Sequence, residues 1–288
     1  MERIGFIGIG IMGKPMAGHI MKAGYPLTVY TRSRSKADEL VANGAVWADS
    51  PLEVAKNADI IITMVSDTPD VEQVLFGENG LEGGLSAGKI VIDMSTISPA
   101  ATRDFAKRLA DKGATLLDAP VSGGDVGAIN ATLTIMVGGE EAAFNKCVPL
   151  FQTIGTRITH MGASGAGQAT KMVNQVMVAA CLSGVCEGIL LAEKEGLDTA
   201  KVIDVISGGV GNSGQLTVNG PKIAARDFSP GFMIDLFAKD LRIVNEAQKS
   251  HSAACHNTTL ALELATAVQA KGDGREGSQA IIKILEKM

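Results

Sequence analysis

The stretch Arg3-Ile4-Gly5-Phe6-Ile7-Gly8-Ile9-Gly10-Ile11-Met12-Gly13 decides the fold of this chain. It is an apolar β-type run that enters a G-x-G-x-x-G turn, and a helical pattern and a second β-type run follow by residue 31. In this context Gly8 permits a tight turn, Gly10 lets a pyrophosphate approach the backbone, and Gly13 lets the helix pack closely on the strand. The stretch therefore predicts a dinucleotide-binding βαβ unit, and the alternative is a glycine-rich turn that binds no ligand.

β-Type runs alternate with helical patterns from this stretch as far as residue 162; they are RIGFIGI, LTVYT, DIIITMV, KIVIDMS, TLLDAPV and LTIMVGG. Such alternation is typical of parallel strand pairing, so we predict an α/β domain with a doubly wound, Rossmann-like sheet in residues 1–162. Long Ala-, Leu- and Met-rich stretches at helical spacing then replace the β-type runs, which predicts an all-α domain in residues 163–288. One long helix from Gln168 to Glu195 would join the two domains.

Other helical patterns of the second domain recur at 199–206, 239–250, 258–271 and 277–287. We expect the last of these to be a surface helix. The glycine-rich segment 208–214 is expected to be a mobile loop rather than a second phosphate site, because no strand precedes it.

Composition excludes several classes of function. The 288 residues carry 26 Lys and Arg against 31 Asp and Glu, so the chain lacks the basic excess that nucleic acids and anionic membranes select. The longest uncharged run, 172–186, is too short to span a bilayer and predicts a buried helix. The cysteines and histidines are dispersed without metal-ligand spacing, so no metal site is expected. Buried thiols and the absence of a signal-peptide pattern favour the cytoplasm.

The end of the second β-type run indicates which dinucleotide would bind. It reads Tyr30-Thr31-Arg32-Ser33-Arg34, with no carboxylate before Asp38. A free ribose 2'-hydroxyl usually meets Asp or Glu at this point, whereas guanidinium groups match the geometry of a 2'-phosphate. The sequence therefore favours NADP over NAD, and the alternative is that Arg32 and Arg34 are solvated surface charges.

Two later segments carry polar groups that a buried core would not favour. In Asp118-Ala119-Pro120-Val121-Ser122-Gly123-Gly124, the Ser122 hydroxyl and the N–H groups of Gly123 and Gly124 could hold a carboxylate. In Gly165-Ala166-Gly167-Gln168-Ala169-Thr170-Lys171-Met172-Val173-Asn174, Lys171 and Asn174 stand at i and i+3 on one helical face, while Met172 and Val173 belong to packing faces. A partly desolvated lysine near a helix N-terminus should lose its proton more easily than in water, and it could exchange a proton with a substrate oxygen. The alternatives are a tight turn and a snorkelling surface lysine.

With these motifs, and with Lys239-Asp240 further on, the sequence resembles the β-hydroxyacid dehydrogenases along essentially its whole length. The family includes 3-hydroxyisobutyrate dehydrogenase, tartronate semialdehyde reductase and glyoxylate/succinic semialdehyde reductase. The resemblance implies that Lys171 is the catalytic residue and that Ser122, Gly123, Gly124 and Asn174 hold the substrate. It also implies that Phe232 and Asp240 line the substrate site. The remaining implied contacts are to the cofactor: Gly8, Ile9, Gly10, Ile11, Met12, Gly13, Thr31, Arg32, Ser33, Met64, Val65, Thr96 and Lys239.

Hydride transfer between NADP, or alternatively NAD, and a small carboxylate-bearing hydroxy acid or semialdehyde is the function that the resemblance implies. The family also implies a homodimer or homotetramer. Two alternatives remain open at this point. An imine reductase could share the scaffold, although such relatives commonly lack the lysine, and a non-catalytic cofactor-binding protein could keep the fold.

Overall fold

A nine-stranded sheet forms the first part of the computed structural model, which describes residues 1–288. The strands are β1 (Ile4–Ile7), β2 (Leu27–Tyr30), β3 (Val46–Trp47), β4 (Ile60–Thr63), β5 (Ile90–Asp93), β6 (Thr115–Asp118), β7 (Val121–Ser122), β8 (Leu133–Gly138) and β9 (Gly155–Gly162). Their order is β3, β2, β1, β4, β5, β6, β8, β7, and β9 pairs with β8. The strands from β1 to β6 pair in parallel, and β1, β4 and β5 are buried along their whole lengths.

Helices cover both faces of the sheet: α1 (Gly13–Lys22), α2 (Asp38–Ala42), α3 (Pro51–Asn57), α4 (Thr68–Phe76), α5 (Pro99–Ala110), α6 (Gly124–Ile129) and α7 (Glu141–Phe151). Because successive strand residues point to opposite faces of the sheet, each strand contributes side chains to two hydrophobic cores, one on each face. Phe6 and Ile62 pack with Met16 in one core, and Ile7 and Ile61 belong to the other. The predicted Rossmann-like domain is confirmed.

The carboxyl ends of the parallel strands form one row along the sheet. Its members are paired in register: Tyr30 with Ile7, Ile7 with Thr63, Thr63 with Asp93, and Asp93 with Asp118. Open α/β sheets bind ligands outside this edge. The site residues that the sequence predicts between residues 8 and 96 each follow one of these strand ends, whereas Ser122, Gly123 and Gly124 lie at the end of β7.

The chain divides into two compact units, residues 1–171 and 172–288, and the long helix α8 (Ala166–Lys194) runs through the division. The other helices are α9 (Thr199–Ser207), α10 (Gly214–Ala224), α11 (Ile234–His251), α12 (His256–Ala270) and α13 (Ile282–Leu285), with a 3-10 helix at Ser278–Ile281. They pack around Leu182, Phe237, Leu241 and Leu264. The all-α second domain and its long connecting helix are confirmed, and the boundary between residues 162 and 163 stays a prediction.

Helix α8 is also long and apolar enough to cross a membrane by length and composition alone. The uncharged run at 172–186 is only part of its 29 residues, and its most apolar window reaches a mean hydropathy of 1.8. Central helices of soluble proteins pass the same test, and 44% of this window is buried inside the protein.

Val173, expected on a packing face, is instead 60% exposed.

Four other expectations were wrong or incomplete. Strand β8 pairs antiparallel with β6 and β7, and residues 123–132, which connect β7 to β8, are too few for a parallel crossover between those two strands. Helix α10 follows the 208–214 segment, capped by the Ser213 hydroxyl, where the pattern predicts no helix. The tail is not a surface helix, because Ala280, Ile281 and Ile282 are all buried. Cys147 and Cys186 are buried as expected, whereas Cys181 and Cys255 are partly exposed.

Candidate active site

The turn after β1 has the geometry that its three glycines predict. Gly8 has a φ of +100°, and a Cβ there would lie 2.1 Å from the Met64 carbonyl oxygen. A Cβ on Gly13 would lie 1.9 Å from the Gly8 carbonyl oxygen, so only glycine lets the helix start this close to the strand. A Cβ on Gly10 would meet nothing within 4 Å, so the backbone is open to a ligand here. Ile9 is buried, and Ile11 and Met12 reach the surface at the start of α1.

The N-terminus of α1 offers its N–H groups to an anion. Its N-cap residue, Met12, makes no side-chain hydrogen bond, and its first turn contains no acidic residue. By contrast, Ser50, Asp67 and Ser98 cap α3, α4 and α5 with their side-chain oxygens. Uncapped N–H groups and the helix dipole favour a phosphate. The residues present therefore fit the pyrophosphate of a dinucleotide.

The residues after β2 lie at the surface, next to that turn. Thr31 is half-buried, Arg32 and Ser33 are exposed, and the Arg32 guanidinium lies 3.4 Å from a carboxylate oxygen of Asp70. The Arg34 guanidinium lies 5.4 Å from the centre of the Trp47 ring. Two cations and two hydroxyl groups are thus gathered at this strand end.

Polar contacts join the loops that follow β4 and β5. The Thr63 hydroxyl donates to Asp93 Oδ1 over 2.8 Å, and the Ser95 N–H donates to the same oxygen over 3.2 Å. The Val65 N–H donates to Ser95 Oγ over 3.0 Å. Met64 and Val65, predicted to contact the cofactor, are thereby tied to the segment that carries Thr96. Burial raises the pKa of Asp93 to about 6, although the hydrogen bonds from Ser95 and Thr63 oppose this rise.

Asp118, at the end of β6, anchors the start of α8. Its Oδ1 accepts from the Gly165 N–H over 2.7 Å, and its Oδ2 accepts from the Gln168 N–H over 2.9 Å. Burial raises the pKa of this carboxyl, and the backbone hydrogen bonds oppose the rise. A Cβ on Gly167 would lie 2.4 Å from the Met136 carbonyl oxygen, so the second glycine of the Gly165-x-Gly167 motif is needed for close approach.

Lys171 follows one turn later on α8, with only 7% of its surface exposed. It has a polar contact within the protein and is the last residue of the first unit. Burial makes the charged form of a lysine less favourable relative to the neutral form. A lysine held here is therefore suited to exchanging protons.

The Ser122-Gly123-Gly124 turn has a backbone conformation that favours glycine. Gly123 and Gly124 have φ values of +132° and +63°, in the region that favours glycine. Ser122 is half-buried at the end of β7, and Gly123 is exposed. The hydroxyl and the two N–H groups stand on a turn that side chains with a Cβ would strain.

In the second unit a chain of polar contacts joins three of the predicted residues. Asn174 Nδ2 donates to Gln175 Oε1 over 2.8 Å, and Gln175 Nε2 donates to Asp240 Oδ2 over 2.6 Å. The Lys239 ammonium lies 2.7 Å from Asp240 Oδ1. Phe232 is partly buried beside Phe237. The roles of Asn174, Phe232, Lys239 and Asp240 toward ligands stay predictions.

Sequence reasoning missed two glutamines at the centre of these contacts, Gln168 and Gln175. Both are buried in an apolar helix; Gln175 adjoins Asn174, and Gln168 lies three residues before Lys171. A glutamine inside an apolar stretch must find hydrogen-bond partners when it is buried, and that was the available signal. The sequence could not say which partners these would be.

Comparison with known proteins agrees with this geometry. A family model for the NAD-binding domain of 6-phosphogluconate dehydrogenase matches residues 3–162. A second model, for the NAD-binding domain of NADP-dependent 3-hydroxyisobutyrate dehydrogenase, matches residues 165–285. The chain belongs to the β-hydroxyacid dehydrogenase family. It is an NAD(P)-dependent oxidoreductase that acts on a hydroxyl group.

Individual relatives cover the chain almost completely. The 2-hydroxy-3-oxopropionate reductase of Escherichia coli is 43% identical over 286 residues, which are 99% of this chain and 98% of that protein. The structure of a Mycobacterium tuberculosis 3-hydroxyisobutyrate dehydrogenase with L-serine is 33% identical, with a TM-score of 0.90 and 99% of each chain covered. An imine reductase from Pseudomonas sp. is 21% identical with a TM-score of 0.64 over 99% of each chain, which shows a shared fold alone.

Proposed function

We propose that this β-hydroxyacid dehydrogenase prefers NADP and interconverts a small carboxylate-bearing hydroxy acid and its semialdehyde, with Lys171 as general acid and base. The observation that carries the proposal is the buried position of Lys171. Its helix is anchored by Asp118 to the same strand edge that bears the phosphate turn. A proton-exchanging group at the ligand-binding edge of a dinucleotide fold is what hydride transfer to a carbonyl requires.

The preference for NADP rests on the surroundings of Arg32. Its only ion-pair partner, Asp70, lies 3.4 Å away, and the arginine side chain is 81% exposed. Exposed pairs of this kind contribute about 0–1 kcal/mol, so a 2'-phosphate with its larger charge can take the place of Asp70. Thr31 and Ser33 supply hydroxyl groups beside it. A ribose 2'-hydroxyl would find no carboxylate acceptor on the residues directly after β2.

When bound, the nicotinamide supplies a hydride in reduction and accepts one in oxidation. In reduction the Lys171 ammonium donates a proton to the carbonyl oxygen, and in oxidation the neutral amine accepts the hydroxyl proton. Ser122 and the N–H groups of Gly123 and Gly124 bind the substrate carboxylate, which fixes the reacting carbon. A buried amine that can exist in both the charged and the neutral form is suited to giving and taking a proton, so one residue can serve both directions of the reaction.

The substrate class follows from the family and from this carboxylate site. We propose an acid of the 3-hydroxyisobutyrate, tartronate semialdehyde, glyoxylate or succinic semialdehyde type. Four cysteines without disulfides fit a reducing compartment, and we propose the cytoplasm. A homodimer or homotetramer is proposed from the family resemblance.

The proposal is tested by steady-state assays of these four substrates with NADPH or NADP and with NADH or NAD. A cyclic imine serves as the comparison substrate. We expect at least one carboxylate substrate to be turned over, with a higher kcat/KM for NADPH or NADP than for NADH or NAD. Turnover of the imine alone would contradict the assigned reaction, and a higher kcat/KM with NADH would contradict the assigned cofactor.

A further inference from the structure

Gln168 is the most completely enclosed polar side chain on the first turn of α8. None of its surface is exposed, although a glutamine carries two donor hydrogens and an acceptor oxygen. A buried amide costs about 1–3 kcal/mol for each hydrogen-bonding group left unpaired, so its partners are fixed by the fold.

Those partners bracket a single residue. Gln168 Nε2 donates to the Ser95 carbonyl oxygen over 2.7 Å, and Gln168 Oε1 accepts from the Ile97 N–H over 3.1 Å. The residue between them is Thr96, which is half-exposed while Ser95 and Ile97 are buried. One amide thus fixes the backbone on both sides of Thr96.

The main chain of Gln168 is fixed as well. Its N–H donates to Asp118 Oδ2 over 2.9 Å, within the first turn of α8. Lys171 stands three residues further on, so the two side chains lie on neighbouring positions of one helical face. Gln168 therefore connects three things: the end of β6, the segment after β5, and the helical turn that carries the lysine.

We propose that Gln168 is a positioning residue for hydride transfer, because it holds the Thr96 segment in register with Lys171. The inference rests on the proposed role of Lys171 and on the predicted contact of Thr96 with the cofactor. Loss of the amide would let the segment after β5 move relative to the lysine. A misplacement of about 1 Å at reacting groups can lower turnover by roughly 100-fold.

The neutral charge of the amide also matters. Asp93 and Asp118 are buried carboxyl groups at adjacent strand ends, paired in register, and burial raises the pKa of each. A third carboxylate at position 168 would add repulsion in a region of low dielectric. Glutamine supplies the one donor and the one acceptor that these two bonds require, as a protonated glutamic acid would, without an ionisable group.

The first experiment compares Gln168→Met with Lys89→Met in the intact enzyme. Lys89 is a matched control, because its ammonium donates to two backbone carbonyls, those of Ala55 and Ala58, at the opposite edge of the sheet. Measured quantities are kcat, KM, the Kd of NADPH from its fluorescence, and the isotope effect with a hydroxy acid deuterated at the carbinol carbon. Gln168→Met is expected to lower kcat by about 10- to 100-fold and to enlarge the isotope effect, with the NADPH Kd within about threefold of the parent.

Gln168→Glu provides a second test, in which the pH dependence of kcat is compared between this variant and the parent. The introduced carboxyl group restores both hydrogen bonds when it is protonated, whereas its ionised form cannot donate to Ser95. The kcat of this variant, divided by that of the parent at each pH from 5 to 8, is expected to fall as pH rises through the raised pKa of the new carboxyl. A ratio that is constant over this range would overturn the inference, as would a Gln168→Met enzyme whose kcat equals that of Lys89→Met.

A Lys171→Met variant separates this inference from the proposed function. Loss of activity in Lys171→Met, together with normal kcat in Gln168→Met, would remove the positioning role and leave the catalytic assignment standing. Full activity in Lys171→Met would instead remove the catalytic assignment on which the inference rests.

Discussion

The close approach of α8 to the sheet can be tested by adding one carbon atom at Gly167. In Gly167→Ala the new Cβ would lie 2.4 Å from the Met136 carbonyl oxygen and 2.6 Å from the Asp118 carbonyl oxygen. Ordinary van der Waals contact begins near 3.4 Å, so the start of the helix must move by about 1 Å. Both obstacles are backbone atoms of strands, which cannot turn aside.

The size of the effect follows from the hydrogen bonds that this movement breaks. The Gly165 N–H and the Gln168 N–H donate to Asp118 over 2.7 and 2.9 Å. A displacement of about 1 Å away from Asp118 would lengthen both distances beyond the hydrogen-bond range. Each bond to a charged group contributes about 1.5–3 kcal/mol, so the loss of both predicts a fall in unfolding free energy of about 3–6 kcal/mol. Lys171 moves with the helix, so kcat should fall by roughly 100-fold in whatever enzyme still folds.

Urea unfolding and steady-state kinetics measure these two effects. Gly18→Ala is the matched control, since Gly18 lies inside α1 and a Cβ there would meet nothing within 4 Å. That control should raise the unfolding free energy by about 0.5–1 kcal/mol, as alanine does in helix interiors. A Gly167→Ala protein with the unfolding midpoint of the parent and kcat within twofold would refute the reasoning.

Two further predictions concern charge. Arg32→Asp should lower kcat/KM for NADPH by at least 10-fold and raise the ratio of NADH to NADPH activity, because a carboxylate repels the 2'-phosphate and accepts from a 2'-hydroxyl; an unchanged ratio would exclude Arg32 from cofactor selection. Asp93 holds its proton in the folded state up to a pKa of about 6 and releases it near 3.8 when unfolded. The parent should therefore lose stability relative to Asp93→Asn as pH rises from about 4 to 6, by on the order of 3 kcal/mol. Urea unfolding of both proteins across that range checks this, and parallel stability curves would contradict it.

Local chemistry made much of the fold predictable. At Gly8 and Gly13 the reason for glycine is a clash that any side chain would cause within the same turn or with an adjacent strand. The G-x-G-x-x-G spacing therefore predicts their geometry, and the family resemblance supplied the expected site positions around them. Helix α8 was predictable for a similar reason, since its apolar residues repeat at helical spacing over many turns.

Contacts between distant residues were not predictable from the pattern. Gln168 bonds to Ser95 and Ile97, which are more than 70 residues away in the sequence. Its apolar surroundings in the sequence can indicate burial, but they do not indicate which distant groups it contacts. The direction of β8 depended on the short connection before it, and apolar alternation is the same for either direction. The buried tail at Ala280–Ile282 owes its position to packing that the helical pattern does not encode.

Lys171 is the residue on which the account depends most, and one substitution tests it directly. Lys171→Met keeps an unbranched side chain that is one atom shorter and removes the amine. Its kcat on the best carboxylate substrate should fall by about 10²- to 10⁴-fold, as loss of a general acid or base does, while the NADPH Kd measured by fluorescence stays within about threefold of the parent. An enzyme that binds NADPH normally and turns over at the rate of the parent would show that the proton comes from another group.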